Sequence, residues 1–209
     1  MVGLIAEGRI ARRLGTVEIG GGLPAGAEAA AERLVASGAT SLLSFGLAGG
    51  LNSDLDAGTI LVPPVVKEAG MTYEADAELA AWLGGFTSGP ILAGAAIVAS
   101  TAEKQRLWQS MRADAVDLES GAVARVARRR GIPFAVLRAI CDPAGRDLPP
   151  AALVALDQSG AIGLLRVLGA VLRRPGQIPA LLTLASDAAR ARRALVDRVA
   201  RLNSRAVSS

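Results

Sequence analysis

The chain has no histidine and a single cysteine among its 209 residues. Without histidine, a Ser-His-Asp triad, a Cys-His pair and a histidine zinc site are all excluded. The lone thiol, Cys141, excludes an internal disulfide and a cysteine metal cluster. Acid–base chemistry therefore falls mainly to aspartate and glutamate, with Tyr73, two lysines and the thiol as minor candidates.

Aromatic residues make up only 3% of the sequence. This scarcity argues against a single-stranded nucleic-acid platform, which stacks bases on aromatic rings, so we expect no nucleic-acid partner. No apolar run approaches the length of a membrane-spanning helix. The N-terminal residues lack the basic and apolar regions of a signal peptide, so the expected compartment is the cytoplasm.

The length predicts one domain covering residues 1–209, with a basic helical segment from about residue 160 to residue 209. The net charge of +4 is unevenly distributed along the chain. Nine arginines and three aspartates follow residue 150, whereas the first 150 residues carry a small excess of acids. The basicity therefore belongs to the C-terminal segment.

Strand-like and helix-like segments alternate along the chain. This pattern predicts an α/β fold, a three-layer α/β/α arrangement around a central mixed, mostly parallel sheet. Short first strands are expected at Val2–Ile5 and Thr16–Ile19, and two helices are expected near the C-terminus, at about 162–172 and 178–202. No internal repeat is evident.

A buried strand, Ser41–Phe45, leads into a predicted glycine turn at 46–50. Glycines there would let backbone N–H groups approach an anion or a sugar closely. A tight bend without any ligand explains the same segment equally well. The segment matches neither a phosphate-binding Walker loop nor a dinucleotide fingerprint.

Two carboxylates end apolar runs and should meet at the C-terminal edge of the sheet, where open α/β folds bind ligands. Glu119 lies at the start of a predicted helix, and Asp117 before it is a candidate cap. Asp142 follows a buried strand, so desolvation should raise its pKa and favour a protonated form that can donate. A helix-start acid and a turn-initiating aspartate before Pro143 are the plain alternatives.

These pieces together resemble the nucleoside phosphorylase and nucleosidase superfamily, the group that includes purine nucleoside phosphorylases and methylthioadenosine/adenosylhomocysteine nucleosidases. The resemblance is carried, in order, by segments 45–50, 58–62, 116–120, 131–134 and 138–142. It implies cleavage of the N-glycosidic bond of a purine nucleoside, with no metal and no organic cofactor.

The resemblance also implies roles for individual residues. Glu119 would bind the ribose hydroxyls and Asp142 would protonate the purine, which makes these two the predicted catalytic residues. The predicted substrate-binding residues are Gly46, Ala48, Gly49, Asp117 and Leu118. As the bond breaks, negative charge develops on the purine and positive charge on the ribose. An acid beside the purine can neutralise the first, and a carboxylate beside the ribose can stabilise the second.

Within the superfamily, segments 117–120, 142–150 and 173–175 are similar to the hopanoid-associated phosphorylases. This similarity implies release of adenine from adenosylhopane in hopanoid side-chain synthesis. A methylthioadenosine/adenosylhomocysteine nucleosidase is one alternative. A non-catalytic nucleoside-binding protein is another, because Leu47 replaces a common serine and the usual N-terminal run of acids is missing.

The nucleophile is left open between phosphate and water. Arg9 stands where phosphorylases place an arginine on phosphate, which favours phosphate as co-substrate. A solvated helix residue is an equally good interpretation of Arg9, and Glu7 could serve as a base in a hydrolase.

The C-terminal segment alternates leucines with arginines. A helix packed on the sheet with solvated arginines is one interpretation, and contact with an anionic membrane surface, such as that of the inner membrane, is the other. The resemblance further implies a homo-oligomer and a purine-nucleoside ligand, which a lipid tail could extend.

Overall fold

The structure is a computed structural model that describes residues 1–153 and 175–207. Its centre is a seven-stranded sheet, curled into a half-barrel with helices around it. The strands follow the order β2-β7-β1-β6-β5-β3-β4 across the sheet. They span Leu42–Gly50 (β1), Ile60–Leu61 (β2), Val65–Glu68 (β3), Met71–Glu74 (β4), Ile91–Ala93 (β5), Ala115–Asp117 (β6) and Phe134–Asp142 (β7).

Seven α-helices are present in the described ranges. They are Ile5–Ala11 (α1), Pro24–Ala36 (α2), Ala77–Trp82 (α3), Thr101–Met111 (α4), Ser120–Arg130 (α5), Pro150–Leu153 (α6) and Ile178–Val207 (α7), the last preceded by a 3₁₀ turn at Pro175–Gln177. Local signals set several ends: Pro24 occupies the first turn of α2, and the Ser100 side chain accepts the Glu103 N–H to begin α4. Gly131 ends α5 in the left-handed conformation.

The sheet is mixed, as predicted. Three of the six strand pairings between described residues are parallel: β1 with β7, β3 with β5, and β5 with β6. The longest ladder joins β1 to β7, from Leu42 opposite Phe134 to Gly49 opposite Asp142. This ladder places the end of β1 beside Asp142.

Helices cover both faces of the sheet, which confirms the predicted α/β class. One buried cluster joins alanines of α2 and the apolar face of α5 to one side of the strands. The other cluster joins α1, α3 and α7 to the opposite side through residues such as Ala80, Leu195 and Val199. No helix within 1–153 and 175–207 combines the length and the apolar character that crossing a bilayer requires.

The predicted glycine turn is wrong. Residues 46–50 continue β1, because β7 supplies backbone partners along almost the whole segment. Within this strand, Gly46 leaves room for the buried side chains of Arg138 and Glu7. The strand predicted at Val2–Ile5 is likewise reduced to bridges from Val2 to Ile19 and Phe45, and α1 begins at Ile5.

Of the two helices predicted near the C-terminus, one lies within the described residues. The helix expected over 178–202 is α7, which runs to Val207 and packs on β7. The helix expected over 162–172 lies outside the described residues.

Candidate active site

A cavity of about 300 Å³ opens at the C-terminal ends of β1 and β7. Its wall is mostly apolar, with a few acidic groups. The lining residues are Gly3, Leu4, Glu7, Gly22, Leu47, Ala48, Gly49, Ala96, Ile97, Val98, Val116, Asp117, Leu118, Glu119, Arg138, Cys141, Asp142, Leu148, Ala152, Leu184 and Ala188. Strand ends of parallel pairs are where α/β sheets place ligands, so the location fits a binding site.

Arg138 organises the acids of this cavity. Its guanidinium is fully buried and lies 2.5 Å from Asp117 Oδ2 and 3.1 Å from Glu119 Oε2. It also donates to the Ser44 hydroxyl at 2.7 Å. Two carboxylates and a hydroxyl thus share one cation, which fixes their positions and offsets the cost of burying their charges.

Glu119 keeps one oxygen available. It stands at the N-cap of α5, and Arg138 engages Oε2, whereas Oε1 is buried without a hydrogen-bond partner among the described residues. Burial raises the pKa of Glu119 to about 7, and Arg138 opposes this while Glu7 and Asp117 add to it. A buried acceptor with no partner is costly, so this oxygen is suited to a ligand hydroxyl.

Glu7 connects α1 to β1 across the cavity wall. Its Oε2 accepts the backbone N–H groups of Gly3 and Leu4, at 3.1 and 2.8 Å, just before the start of α1. Its Oε1 accepts the N–H of Leu47 at 3.0 Å. Burial raises the pKa of Glu7, while the nearby Arg138 charge and these N–H groups act against the rise.

Two glycines leave space for these acids. A Cβ added to Gly46, which has φ +152°, would lie 2.6 Å from Arg138 Nη1 and 2.7 Å from Glu7 Oε1. A Cβ added to Gly3 would lie 2.6 Å from Glu119 Oε1. Both positions therefore require glycine for close approach, which explains the glycine-rich sequence better than a turn does.

Asp142 ends β7 and faces the cavity beside Gly49. Its Oδ2 lies 2.7 Å from the ammonium of Lys104, a side chain of α4 that is completely buried. Burial raises the pKa of Asp142, as the sequence predicted, and the hydrogen bond and charge of Lys104 limit the rise. The environment is therefore not purely apolar.

The structure brings most of the predicted site residues together. Glu119, Asp142, Ala48, Gly49, Asp117 and Leu118 all line the cavity. Asp117 also accepts the Ser120 N–H at 3.2 Å, which agrees with the capping role considered for it. Gly46 does not line the cavity. It lies behind the cavity wall, where its lack of a side chain leaves space for Arg138 and Glu7.

Arg9 is not brought to this cavity. It is an exposed residue of α1 and is absent from the lining, so its phosphate-binding role stays a prediction without support from its position. Arg138 and Lys104 are the two partners that the sequence analysis did not single out. A usable signal for Lys104 exists, because it is one of only two lysines in an arginine-rich chain.

The remaining ionisable groups add little to the cavity. Burial raises the pKa of the Cys141 thiol to about 12, so the thiol stays protonated at neutral pH. Among the described residues, no three His, Cys, Asp or Glu side chains cluster in a way that could hold a metal ion. A larger groove of about 470 Å³ is lined by residues such as Leu14, Trp82 and Leu83, and none of its lining side chains is acidic or basic.

Comparison with known proteins identifies the family of the chain. Residues 4–172 match the Phosphorylase superfamily. The chain belongs to this superfamily. Because the match covers most of the chain, the superfamily resemblance inferred from the motifs is confirmed. The comparison with curated proteins gives no match.

Solved structures of this superfamily share the fold. The S-adenosylhomocysteine nucleosidase of Streptococcus pyogenes, in complex with 5-methylthiotubericidin, is 23% identical with a TM-score of 0.55, over 60% of this chain and 64% of that one. A 5′-methylthioadenosine/S-adenosylhomocysteine nucleosidase of Helicobacter pylori is 22% identical with a TM-score of 0.59, over 74% and 78%. A futalosine hydrolase mutant of Helicobacter pylori is 23% identical with a TM-score of 0.52, over 56% and 66%.

The chain thus spans less than two thirds of the length of the S. pyogenes enzyme. At these identities the likeness establishes a common fold. Activity and substrate must be argued from the residues of the cavity itself.

Proposed function

We propose that this member of the Phosphorylase superfamily cleaves the N-glycosidic bond of a purine nucleoside. One observation carries the proposal: a single cavity holds both Asp142 and a buried Glu119 whose Oε1 has no partner among the described residues. Burial raises the pKa of both carboxyl groups. Two acids with different partners can therefore perform different tasks in one reaction.

Glu119 is assigned to the sugar. Its free oxygen would accept hydrogen bonds from the ribose hydroxyls, and its negative charge would stabilise the positive charge that develops on the ribose. Arg138 holds the other oxygen, so the carboxylate is already oriented before substrate binds. The part of the cavity wall that would surround the nucleoside includes Leu118, Ala48 and Gly49.

Asp142 is assigned to the base. As the glycosidic bond breaks, the electron pair moves onto the purine, and a proton from the Asp142 carboxyl to purine N7 neutralises that charge. The raised pKa of Asp142 supports this role, because a more basic carboxylate retains a proton to donate.

Water is the nucleophile that the charges of the cavity favour. Among the described residues, four carboxylates line it, those of Glu7, Asp117, Glu119 and Asp142, and the one cation in that part of the lining, Arg138, is already bound to two of them. An anionic co-substrate would be repelled there. Phosphorolysis, favoured in the sequence by Arg9, has no comparable support, because Arg9 is exposed and outside the lining.

Glu7 is the candidate base for the attacking water. It lies on the cavity wall, and burial raises its pKa, which makes its carboxylate a stronger base. Its three backbone hydrogen bonds hold it in place, and Oε1 accepts only one of them. A second lone pair on that oxygen is therefore available for water.

The test is adenine release from purine nucleosides, each assayed with and without phosphate. A sugar product with a free 1-hydroxyl, formed without phosphate, supports hydrolysis, whereas strict phosphate dependence selects phosphorolysis and refutes the choice of water. Adenosylhopane, 5′-methylthioadenosine and S-adenosylhomocysteine are the substrates to compare. If no purine nucleoside is cleaved, a nucleoside-binding protein without turnover is selected instead.

We propose a lipid-linked adenosine, of the adenosylhopane kind, as the substrate. Support comes from apolar side chains contributed to the wall by three separate regions: Ile97 and Val98 before α4, Leu148 after β7, and Leu184 of α7. A higher kcat/KM for adenosine with a long 5′-alkyl substituent than for 5′-methylthioadenosine is the expected result. Equal or lower values would reject the lipid preference.

Peripheral membrane contact is the corresponding proposal for the C-terminal segment. The first turns of α7 expose Ile178 and Leu182, the latter 67% exposed, close in sequence to the cavity residue Leu184. Arginines follow along the same helix. Co-sedimentation with anionic liposomes at low salt tests the contact, and no binding under those conditions rejects it.

A further inference from the structure

Lys104 is a buried cation that does not itself line the cavity. It projects from α4, its side chain is 0% exposed, and its ammonium has three oxygen partners. These are Asp142 Oδ2 at 2.7 Å, the carbonyl of Pro143 at 3.0 Å and the carbonyl of Arg146 at 2.8 Å. An ammonium group has three N–H donors, so every donor of Lys104 is used.

We propose that Lys104 is the positioning residue for Asp142: it holds the carboxylate at the cavity wall and fixes the loop that follows β7. The inference rests on the proposed function, in which Asp142 gives its proton to the purine. It adds a residue outside the cavity that controls how the acid is placed and how readily it ionises.

The charges around Asp142 explain why a lysine is needed. Within the described part of the chain, three charged groups face it: Lys104 from α4, Arg146 from the following loop and Asp187 from α7. Burial is the largest influence and raises the pKa of Asp142, and Asp187 acts in the same direction. Lys104 opposes both, so the acid can lose its proton during the reaction and regain it afterwards.

The same lysine also orders part of the cavity wall. The loop at 143–149 is tied to the start of α4 by two further contacts, from Leu148 N–H to the Ala99 carbonyl at 2.8 Å and from Thr101 N–H to Asp147 Oδ1 at 2.7 Å. Leu148 lines the cavity. Lys104 thereby couples the orientation of the acid to the wall beside it.

The decisive experiment compares Lys104→Met and Lys104→Arg with the matched control Lys67→Met. Lys67 is the other lysine of the chain, and it too donates to a backbone carbonyl of α4, that of Met111 at 2.6 Å, but away from the cavity. Asp142 is followed by NMR of ¹³C-labelled aspartate carboxyl carbons, with its signal assigned by loss in Asp142→Asn. Folding is checked by circular dichroism, and kcat and KM are measured in parallel.

In Lys104→Met, the Asp142 carboxyl should titrate at higher pH than in the wild type, and kcat should fall about 10- to 100-fold with KM changed less than about threefold. Lys104→Arg keeps the charge but not the compact geometry. It should therefore leave the Asp142 titration nearly in place while lowering kcat. Lys67→Met should match the wild type in both measurements.

A folded Lys104→Met protein with an unshifted Asp142 titration, or with wild-type kcat, overturns the proposal. If Lys104→Met does not fold, Lys104→Arg decides, since a folded Lys104→Arg protein with unchanged kcat overturns the positioning role. If no variant and no wild-type protein cleaves a nucleoside, the proposed function fails. In that case the NMR titration still decides whether Lys104 controls Asp142.

Discussion

At the scale of single residues, the two cavity acids differ in the partner that each has. Glu119 shares a buried arginine with Asp117 and keeps one oxygen free, whereas Asp142 is bound by a buried lysine. Because Arg138 binds both carboxylates, it holds Glu119 in a position where the free oxygen can accept a hydrogen bond. Burial raises the pKa of both acids, so the difference lies in their partners: Asp142 is bound by one lysine from outside the cavity and faces the space where a base would bind, which suits it to proton transfer.

Replacing Asp142 by Asn should lower kcat by about 10²- to 10⁴-fold while leaving KM within a few-fold, because general acid catalysis acts in the transition state. Glu119→Gln should lower kcat and raise KM together, because the ribose contact operates in both states. Steady-state adenine release measures both variants. Asp54→Asn, an exposed aspartate outside the cavity, is the control. Near wild-type rates for Asp142→Asn contradict the assignment.

Arg138 should be the residue whose loss most destabilises the site. Arg138→Met leaves Asp117 and Glu119 buried without their cation, so we expect a loss of about 3–5 kcal/mol in the free energy of unfolding at pH 7. The loss should be smaller at pH 5, where Glu119, whose pKa burial raises to about 7, takes up a proton. Urea unfolding at the two pH values measures this.

Arg130→Met provides the matched control for that experiment, because Arg130 pairs with Glu32 on the surface. Its effect should stay within about 0.5 kcal/mol. Equal effects of the two substitutions would show that the buried network contributes nothing beyond a surface ion pair.

At the scale of elements, β1 departs most from the sequence prediction. The strand was expected to stop at Phe45 because Gly46, Gly49 and Gly50 indicate a turn. Pairing with β7 overrides that local preference and carries β1 through to Gly50. Long-range pairing of this kind has no local signature, so a single sequence could not reveal it.

Elements with strong local signals were predicted more accurately. The helix predicted to start at Glu119 begins one residue later, as α5 at Ser120, and local signals also mark other helix ends, with Pro24 at the start of α2 and Gly131 after α5. The acids of the site were likewise identified from where strands and helices end. Their cations were missed, because Lys104 reaches Asp142 over 38 positions of chain and only the folded helix brings the two together.

The glycine at position 46 gives an element-scale prediction. Gly46→Ala would place a methyl group against Arg138 Nη1 and Glu7 Oε1 at a φ of +152°. We expect the free energy of unfolding to fall by about 1–3 kcal/mol, with weaker nucleoside binding, because the charged side chains must shift. Chemical denaturation and ligand titration measure the two effects.

Gly145→Ala is the control for Gly46→Ala, since a Cβ at Gly145 meets nothing within 4 Å. It should change stability by no more than about 0.5 kcal/mol. A Gly46→Ala protein as stable as this control would mean that the residues behind β1 have more room than the structure gives them.

At the scale of the whole molecule, the buried acids control how stability varies with pH. Burial raises the pKa of Glu7, Glu119 and Asp142 in the folded state. Exposed acids such as Glu32 and Asp147 have pKa values lowered by their hydrogen-bond partners. The stability from the exposed acids is lost only as pH falls through those low values, so the buried acids dominate nearer neutrality.

A raised pKa means that the folded protein holds its proton more tightly than the unfolded chain does. The resulting stability is complete below the unfolded pKa and is lost as pH rises through the folded pKa. For Glu119 this window extends from 4.5 to about 7. The wild-type protein should therefore become less stable between pH 5 and pH 6, below the range in which the buried Met1 amino group, whose pKa burial lowers to about 6, acts in the opposite direction.

The Glu119 contribution to that slope should approach 1.4 kcal/mol per pH unit at most, the value of about one proton. Glu119→Gln removes this proton and should flatten the curve, whereas Glu32→Gln, at an exposed surface pair, should leave it unchanged in this range. Urea unfolding at quarter-unit intervals from pH 5 to pH 6 measures all three proteins. A wild-type stability that rises with pH in this range, or a slope that Glu119→Gln leaves intact, contradicts the argument. Such a result would mean that the pKa of Glu119 does not differ between the folded and unfolded states.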